Sequence, residues 1–544
     1  MDPRTRQLMM GAAGSTESIY VEDVFSTYLY TGNASGSTTQ TITNEIDLAG
    51  EGGLVWIKAR SFGGESALYD TNRGVQKSLH TNSTSAQEIA ISNYELNTFN
   101  SDGFILGNDY NSTVNTNGAT FASWTFRKAE KFFDVVTYTG TGSNQNVSHN
   151  LGSTPGFIVV KCTSTGTNWI AWHRSASGNL GLNLTVPQEP SNYLIISANS
   201  NTFTVSGAYS ETGAGGQTYV AYLFAHDAGG FGDGGTESVI KCGVHNSGLG
   251  QIDLGWEPQW VLIKPYTQTW NWELYDNMRG MDQTSSAKLL APNLSNAEGS
   301  GSDIKPNATG FYNGTFGGSY PFIYIAIRRG PMKTPTDATK FFAAQTDNQT
   351  GNGYYAELGA PVDAWWYVYG RNATHNTIAR TRLTGANFLN TSSTSAETTQ
   401  TANFFDKSLG VQATSAVSTD TNNLSWVWRR APGFFDVVPY TGDGTSLRAV
   451  SHNLEVQPEL IIVKNRDGTP SVTNWMVSAL AADINYGGIN FGFVARLDTS
   501  DAFFSNTSYF TTTPPTATAF NVGVLRNNTS VNFISYLFAS CPGV

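Results

Sequence analysis

A short apolar run that ends in lysine recurs along this chain at nearly constant spacing, and that periodicity limits the fold more than any single residue does. The run reads Gly53-Leu54-Val55-Trp56-Ile57-Lys58, then Gly156-Phe157-Ile158-Val159-Val160-Lys161. It returns as Gln259-Trp260-Val261-Leu262-Ile263-Lys264 and as Glu459-Leu460-Ile461-Ile462-Val463-Lys464. Lys58, Lys161 and Lys264 stand 103 residues apart, and Lys464 follows after 200, close to two periods. A fifth copy is therefore due near residue 367, where Ala364-Trp365-Trp366-Tyr367-Val368-Tyr369 lies without the terminal lysine. Self-similarity at a fixed period marks an array in which each repeat is one structural unit.

Other markers keep the same register. Leu68-Tyr69-Asp70-Thr71-Asn72-Arg73-Gly74 matches Leu274-Tyr275-Asp276-Asn277-Met278-Arg279-Gly280 two periods later. A closing strand is centred at Trp124, Tyr222, Ile325, Trp426 and Tyr536. A longer duplication overlies this. Ser123-Trp124-Thr125-Phe126-Arg127 returns as Ser425-Trp426-Val427-Trp428-Arg429, and Phe132-Phe133-Asp134-Val135-Val136 as Phe434-Phe435-Asp436-Val437-Val438. Ser148-His149-Asn150-Leu151 returns as Ser451-His452-Asn453-Leu454, so units four and five copy units one and two, and unit three resembles unit one.

The markers are four to eight residues long, rich in Val, Ile, Phe, Tyr and Trp, and bounded by Gly, Pro, Asn and Asp, which is strand chemistry. Trp124 and Phe126 alternate with Ser123, Thr125 and Arg127, the period-two pattern of a strand buried on one face. The pattern predicts an all-β chain, a tandem array of about five β-sandwich units of jelly-roll or lectin-like type. Its expected divisions are an N-terminal attachment arm over 1–22 and units over 23–131, 132–235, 236–345, 346–433 and 434–544. Gly229 to Gly235 reads as a flexible linker. Spacing alone leaves open whether the units are strung out or folded back.

Only 13% of residues are charged and 12% are aromatic, a profile of β modules with neutral polar faces. The net charge of −11 and the lack of a basic patch argue against nucleic acid as a partner. No apolar run reaches the ~20 residues of a membrane span. The start of the chain lacks the apolar core of a secretory signal, which predicts synthesis in a cytoplasm. Cys162, Cys242 and Cys541 are few and far apart, so neither a disulfide framework nor a zinc site is expected.

The chemistry-bearing residues read mostly as structure. His149 and His452 follow serines, but neighbours on a strand face opposite ways, so a Ser–His dyad is not formed locally; a turn before a buried strand explains them. Asp70 and Asp276 stand three residues before Arg73 and Arg279, the spacing of a pair that braces a loop, whereas a glycosidase needs two carboxylates across one sugar. Gly230, Gly232 and Gly235 satisfy a dinucleotide fingerprint on paper, but no helix follows. No cofactor and no catalysis are expected. Trp169, Trp172, His173, Trp270 and Trp272 are the candidate contacts for a glycan or partner, against a plainer role in core or unit-to-unit packing.

At the L-V-W-I-K, L-Y-D-x-x-R-G, F-F-D-V-V-x-Y-T-G and S-H-N-L runs, and in Met1-Asp2-Pro3-Arg4-Thr5-Arg6-Gln7-Leu8-Met9-Met10-Gly11-Ala12-Ala13-Gly14, the sequence resembles a recurrent family. Its members are repetitive, largely uncharacterised virion proteins of marine tailed bacteriophages, including cyanophages, often labelled tail-fibre or lectin-like. The resemblance implies a component of the virion exterior and supplies no catalytic residues. It leads to three expectations. A tail fibre or host-surface adhesin would join other virion proteins through its N-terminal arm, bind a host-surface glycan or protein, and favour a homotrimer. A capsid decoration, head fibre or tail accessory would have a purely structural role. A glycan-degrading tailspike would carry paired carboxylates in a cleft.

Overall fold

The recurrent apolar run forms the central strand of a large antiparallel sheet in every unit. The structure, a computed structural model, describes residues 18–541 apart from 35–38, 110–112, 285, 348–352, 369–376, 401–403, 414–422, 470–472 and 480–492. In unit one the spatial order is Phe25–Thr31, Thr120–Arg127, Gly53–Ala59, Ser66–Asp70, Lys77–His80, Glu88–Ile89. The unit's first strand thus pairs with its last, and the last pairs with the apolar run. Units two to five repeat the first four places of this order around Phe157–Cys162, Pro258–Pro265, Ala364–Val368 and Leu460–Asn465, and the large sheet has five strands in unit two, four in unit three and six in units four and five. Each unit adds a small second sheet, in unit one Gln40–Thr43, Gly103–Leu106 and Leu96–Asn100. The chain is all-β, as the alternation predicts, and each ladder between strands stays within its unit.

The large sheets of units one to three are covered on both faces, which corrects the expectation of half-buried strands. On one face, Val55, Ile57, Tyr69 and Phe121 meet the small sheet of unit one and form that unit's own core. On the other, Leu54, Trp56, Trp124 and Phe126 join residues of units two and three in one continuous core. Ser123 and Thr125, read as the outward face, are fully buried. Thr125 Oγ1 accepts from Asn44 Nδ2 at 2.8 Å, which satisfies the polar group in place of water.

The units are therefore folded back on one another. The backs of sheets one, two and three converge on Leu54, Trp56, Phe157, Val159, Tyr222, Phe224, Trp260 and Leu262, with about 20 Å³ of space left between them. The contacts run in a cycle. Gln87 N–H donates to Thr163 of unit two at 2.9 Å, Gln188 N–H to Tyr266 of unit three at 2.8 Å, and Glu298 N–H back to Arg60 of unit one at 2.9 Å. Units one to three thus close a pseudo-threefold ring. Units four and five repeat only the first step, with Glu397 N–H donating to Arg466 at 2.7 Å.

The two groups are joined by buried charge. Arg430 of unit four, fully buried, places both terminal nitrogens 2.9 Å from the carboxylate of Glu257 in unit three. Arg60 of unit one lies 2.7 Å from Asp406 of unit four. Leu29 N–H donates to Ser408 Oγ at 2.8 Å.

Two expectations about loose segments are corrected. The glycine stretch 229–235 is a folded turn. Gly230, Gly232 and Gly235 take positive φ, Gly230 N–H donates to Gly235, and Phe231 is buried in the shared core. Of the expected arm, residues 1–17 lie outside the described residues, but the chain is already docked from residue 18 onward. Gly232 N–H donates to the carbonyl of Ile19, Val21 is fully buried, and the Glu22 carboxylate accepts from the amides of Met332 and Lys333 at 2.9 and 3.0 Å.

Candidate functional site

The repeat lysines are inter-unit fasteners. Lys58 Nζ donates to Leu294 of unit three at 2.7 Å, Lys161 to Thr84 of unit one at 2.9 Å, and Lys264 to Thr185 of unit two at 2.9 Å. Lys464 donates to Ser393 of unit four at 3.2 Å. Each takes a backbone carbonyl 71–236 residues away in sequence. Burial pushes all four ammonium groups down to about 8.

The Asp–Arg pairs act across units as well as within their loops. Asp276 accepts from Arg279 Nε at 2.7 Å and from the Arg279 amide at 2.9 Å, and its other neighbour is Trp124 Nε1 of unit one at 2.9 Å. Asp70 likewise takes the Arg73 amide at 2.8 Å and the Tyr222 hydroxyl of unit two at 2.8 Å. The matching position in unit two is His173. Its Nδ1 accepts from the Ser175 amide at 3.1 Å, so Nε2 carries the proton and donates to Tyr324 of unit three at 3.3 Å. Burial pushes His173 down to about 3 and keeps the ring neutral.

His149 and His452 are turn residues. Their Nδ1 atoms accept from the amides of Leu151 and Leu454 at 3.3 and 3.2 Å, and desolvation lowers both pKa values. Asp134 and Asp436 accept from the amides of Asn150 and Asn453 at 2.7 and 2.9 Å.

The tryptophans singled out as candidate contacts are mostly enclosed. Trp169 and Trp272 are fully buried and donate their indole N–H to His80 of unit one and Gly181 of unit two, each at 2.9 Å. Trp172 is half-buried against the shared core, and His173 is fully buried. A glycan reaches none of Trp169, His173 or Trp272, because each is spent on unit-to-unit packing. Trp270 is 39% exposed, but its indole N–H is tied to Glu273 at 3.0 Å and its carbonyl to Lys264 at 2.7 Å.

The open aromatic surface lies elsewhere, where among the described residues no third unit packs on units four and five. In the closed ring, unit three sets Trp260 against Phe25 and Phe126 of unit one, with ring centroids 6.2 and 5.8 Å apart. The register of the sheets makes Phe342 the counterpart of Phe25, Trp428 of Phe126, Trp426 of Trp124 and Trp366 of Trp56. Phe25 is 2% exposed and Phe342 36%, while Trp366, Trp426 and Trp428 are all half-buried. On the unit-five side, Leu182 of unit two is 3% exposed and its counterpart Leu497 44%. These residues line a cleft of about 830 Å³ together with Thr377, Thr391, Ser392, Asp498, Thr499 and Ser500. The Asp498 carboxylate accepts from Asn474 Nδ2 at 3.1 and 3.2 Å. The Trp366 indole N–H is buried without a partner among the described residues, whereas that of Trp56 donates to Ser66 at 2.8 Å. Sequence reasoning passed over this site. Its one signal was the missing lysine at Val368, the fastener that would have crossed to a third unit.

Among the described residues no helix is long and apolar enough to cross a membrane, and no group of three or more His, Cys, Asp or Glu side chains is placed to hold a metal ion. Fold and contacts define a class: a repeat protein of two-sheet β units docked back to back. The chain belongs to the family described as "Domain of unknown function (DUF7483)", whose model matches residues 21–327 and 337–544. No curated protein matches it.

Proposed function

We propose that this protein is a non-catalytic component of a bacteriophage particle's exterior, a tail fibre or host-surface adhesin. The observation that carries the reading is the uncovered seat between units four and five. The chain seals the equivalent seat three times over in its first ring and, among the described residues, leaves one aromatic face open between units four and five. An exposed aromatic patch rimmed by polar groups is the mark of an interaction site. Support also comes from the braced state of the chemistry-bearing groups: His149, His173 and His452 are turn or interface residues, and Asp70 and Asp276 are held by arginines. The pseudo-threefold ring lies within one chain, so threefold packing of these units needs no homotrimer.

A purely structural role, as a capsid decoration, head fibre or tail accessory, is the second reading, and the buried Arg430–Glu257 lock between the two groups of units favours it. Antibody labelling of intact particles, paired with adhesion of the recombinant full chain to host cells, separates the two. The adhesin reading expects label on tail fibres and saturable adhesion. Label confined to the capsid, with no adhesion, refutes it in favour of the structural one.

A further inference from the structure

We infer that the open seat between units four and five is a carbohydrate site for short neutral saccharides, with Trp366, Trp426 and Trp428 as stacking faces and Asp498 as the principal hydroxyl acceptor. The inference rests on the adhesin reading and names its ligand. Two kinds of occupant suit an aromatic cleft beside a sheet, another β unit or a small ligand with apolar faces and polar edges, and the residues decide between them.

Where a unit is docked on its neighbour, a lysine crosses to a backbone carbonyl of that neighbour. Lys58, Lys161, Lys264 and Lys464 all do so. Among the described residues, unit four alone has no neighbouring unit on that side, and Val368 stands where the lysine would be. The unit-five wall has changed as well. Asn183, Leu184 and Thr185 of unit two correspond to Asp498, Thr499 and Ser500. The apolar Leu184 has become a hydroxyl, and a carboxylate has replaced an amide. The fastener for a β unit is gone, and polar edge groups have been added.

What remains matches a pyranose. A sugar ring offers a flat C–H face to an indole and a rim of hydroxyls to acceptors. The cleft supplies three half-buried indoles, hydroxyls at Thr377, Thr391, Ser392, Thr499 and Ser500, and one carboxylate oriented by Asn474. Hydrogen bonds to a carboxylate are roughly twice as strong as neutral ones, so Asp498 sets the orientation of the ring. The cleft's volume, about 830 Å³, lies in the range of small-ligand sites and exceeds one pyranose, which points to two or three residues of a chain. A carboxylate in the wall and a net charge of −11 disfavour acidic sugars.

The test uses the full chain and a panel of methyl glycosides and trisaccharides of glucose, galactose, mannose and N-acetylglucosamine, read by saturation-transfer NMR and tryptophan fluorescence. The expected result is saturable binding to at least one neutral member. Trp426→Ala and Asp498→Asn should each weaken it by about tenfold or more. Ser392→Trp, at an exposed position, should block the cleft and leave the melting curve unchanged. No saturable binding to any member up to about 10 mM overturns the inference, as does binding that all three variants leave intact. Dimerisation at micromolar concentration that Ser392→Trp abolishes overturns it in favour of a second copy in the seat. Host-cell adhesion that Ser392→Trp abolishes, without binding to any sugar, overturns the sugar and leaves the adhesin reading standing.

Discussion

Replacing Trp272 with alanine should destabilise more than the unit that carries it. Trp272 is fully buried in the core shared by units one to three, packs on Phe157 of unit two with centroids 6.0 Å apart, and donates to Gly181 of unit two at 2.9 Å. A buried tryptophan removes roughly 250 Å² from water. At ~25 cal/mol per Å² this is about 6 kcal/mol as an upper bound, and a compact unfolded chain trims it to about 4–5 kcal/mol. Truncations of this kind cost about 3–5 kcal/mol in measured series, a range that already includes the lost hydrogen bond. The assay is urea unfolding combined with amide hydrogen exchange read by mass spectrometry. Protection should fall in Pro258–Pro265 of unit three and equally in Phe157–Cys162 of unit two and Gly53–Ala59 of unit one, because the three sheets share one core. A loss below about 1 kcal/mol, or a loss of protection confined to unit three, would show that the units are independent beads and refute the closed ring.

Two further outcomes follow from the buried charges. Glu257→Gln leaves Arg430 without its closest carboxylate, with Asp363 at 3.5 Å and Asp436 at 3.8 Å. Breaking a buried pair on one side costs about 3–5 kcal/mol, and hydrogen exchange should show units four and five losing protection against the ring while Gly53–Ala59 holds its own. His173 makes the fold acid-sensitive. Its folded pKa of about 3 lies below the unfolded value near 6.5, so the unfolded chain binds the proton first. The stability it supports is complete above about pH 6.5 and falls by about 1.4 kcal/mol per pH unit on the way down to 3. His173→Gln should flatten that limb in acid titrations of unfolding free energy, and an unchanged slope would show that His173 is not held neutral.

Much of the architecture is written in local pattern. The 103-residue period locates the central strand of each unit, and alternation says which residues share a face. The three-residue spacing of Asp70 with Arg73, and of Asp276 with Arg279, suffices for a loop brace because both partners sit on one turn. Alternation is silent about what lies opposite a face, and there the sequence misleads. Ser123 and Thr125 look like a solvent side, yet they are buried, because a small sheet from the same unit covers them.

The tryptophans show the same limit. Trp272, one residue before the strand Glu273–Asp276, and Trp426, within Asn423–Trp428, both stand in short aromatic stretches, yet one is sealed by a neighbouring unit and the other lines an open cleft. The difference is made by the presence or absence of a third sheet, a contact between residues far apart in the chain. Local composition therefore determined the strands, their period and their braces. Which lysine crosses to which unit, which aromatic face is sealed and where one is left open were decided only when the repeats closed on one another, because those properties belong to pairs of distant surfaces and no single stretch of sequence carries them.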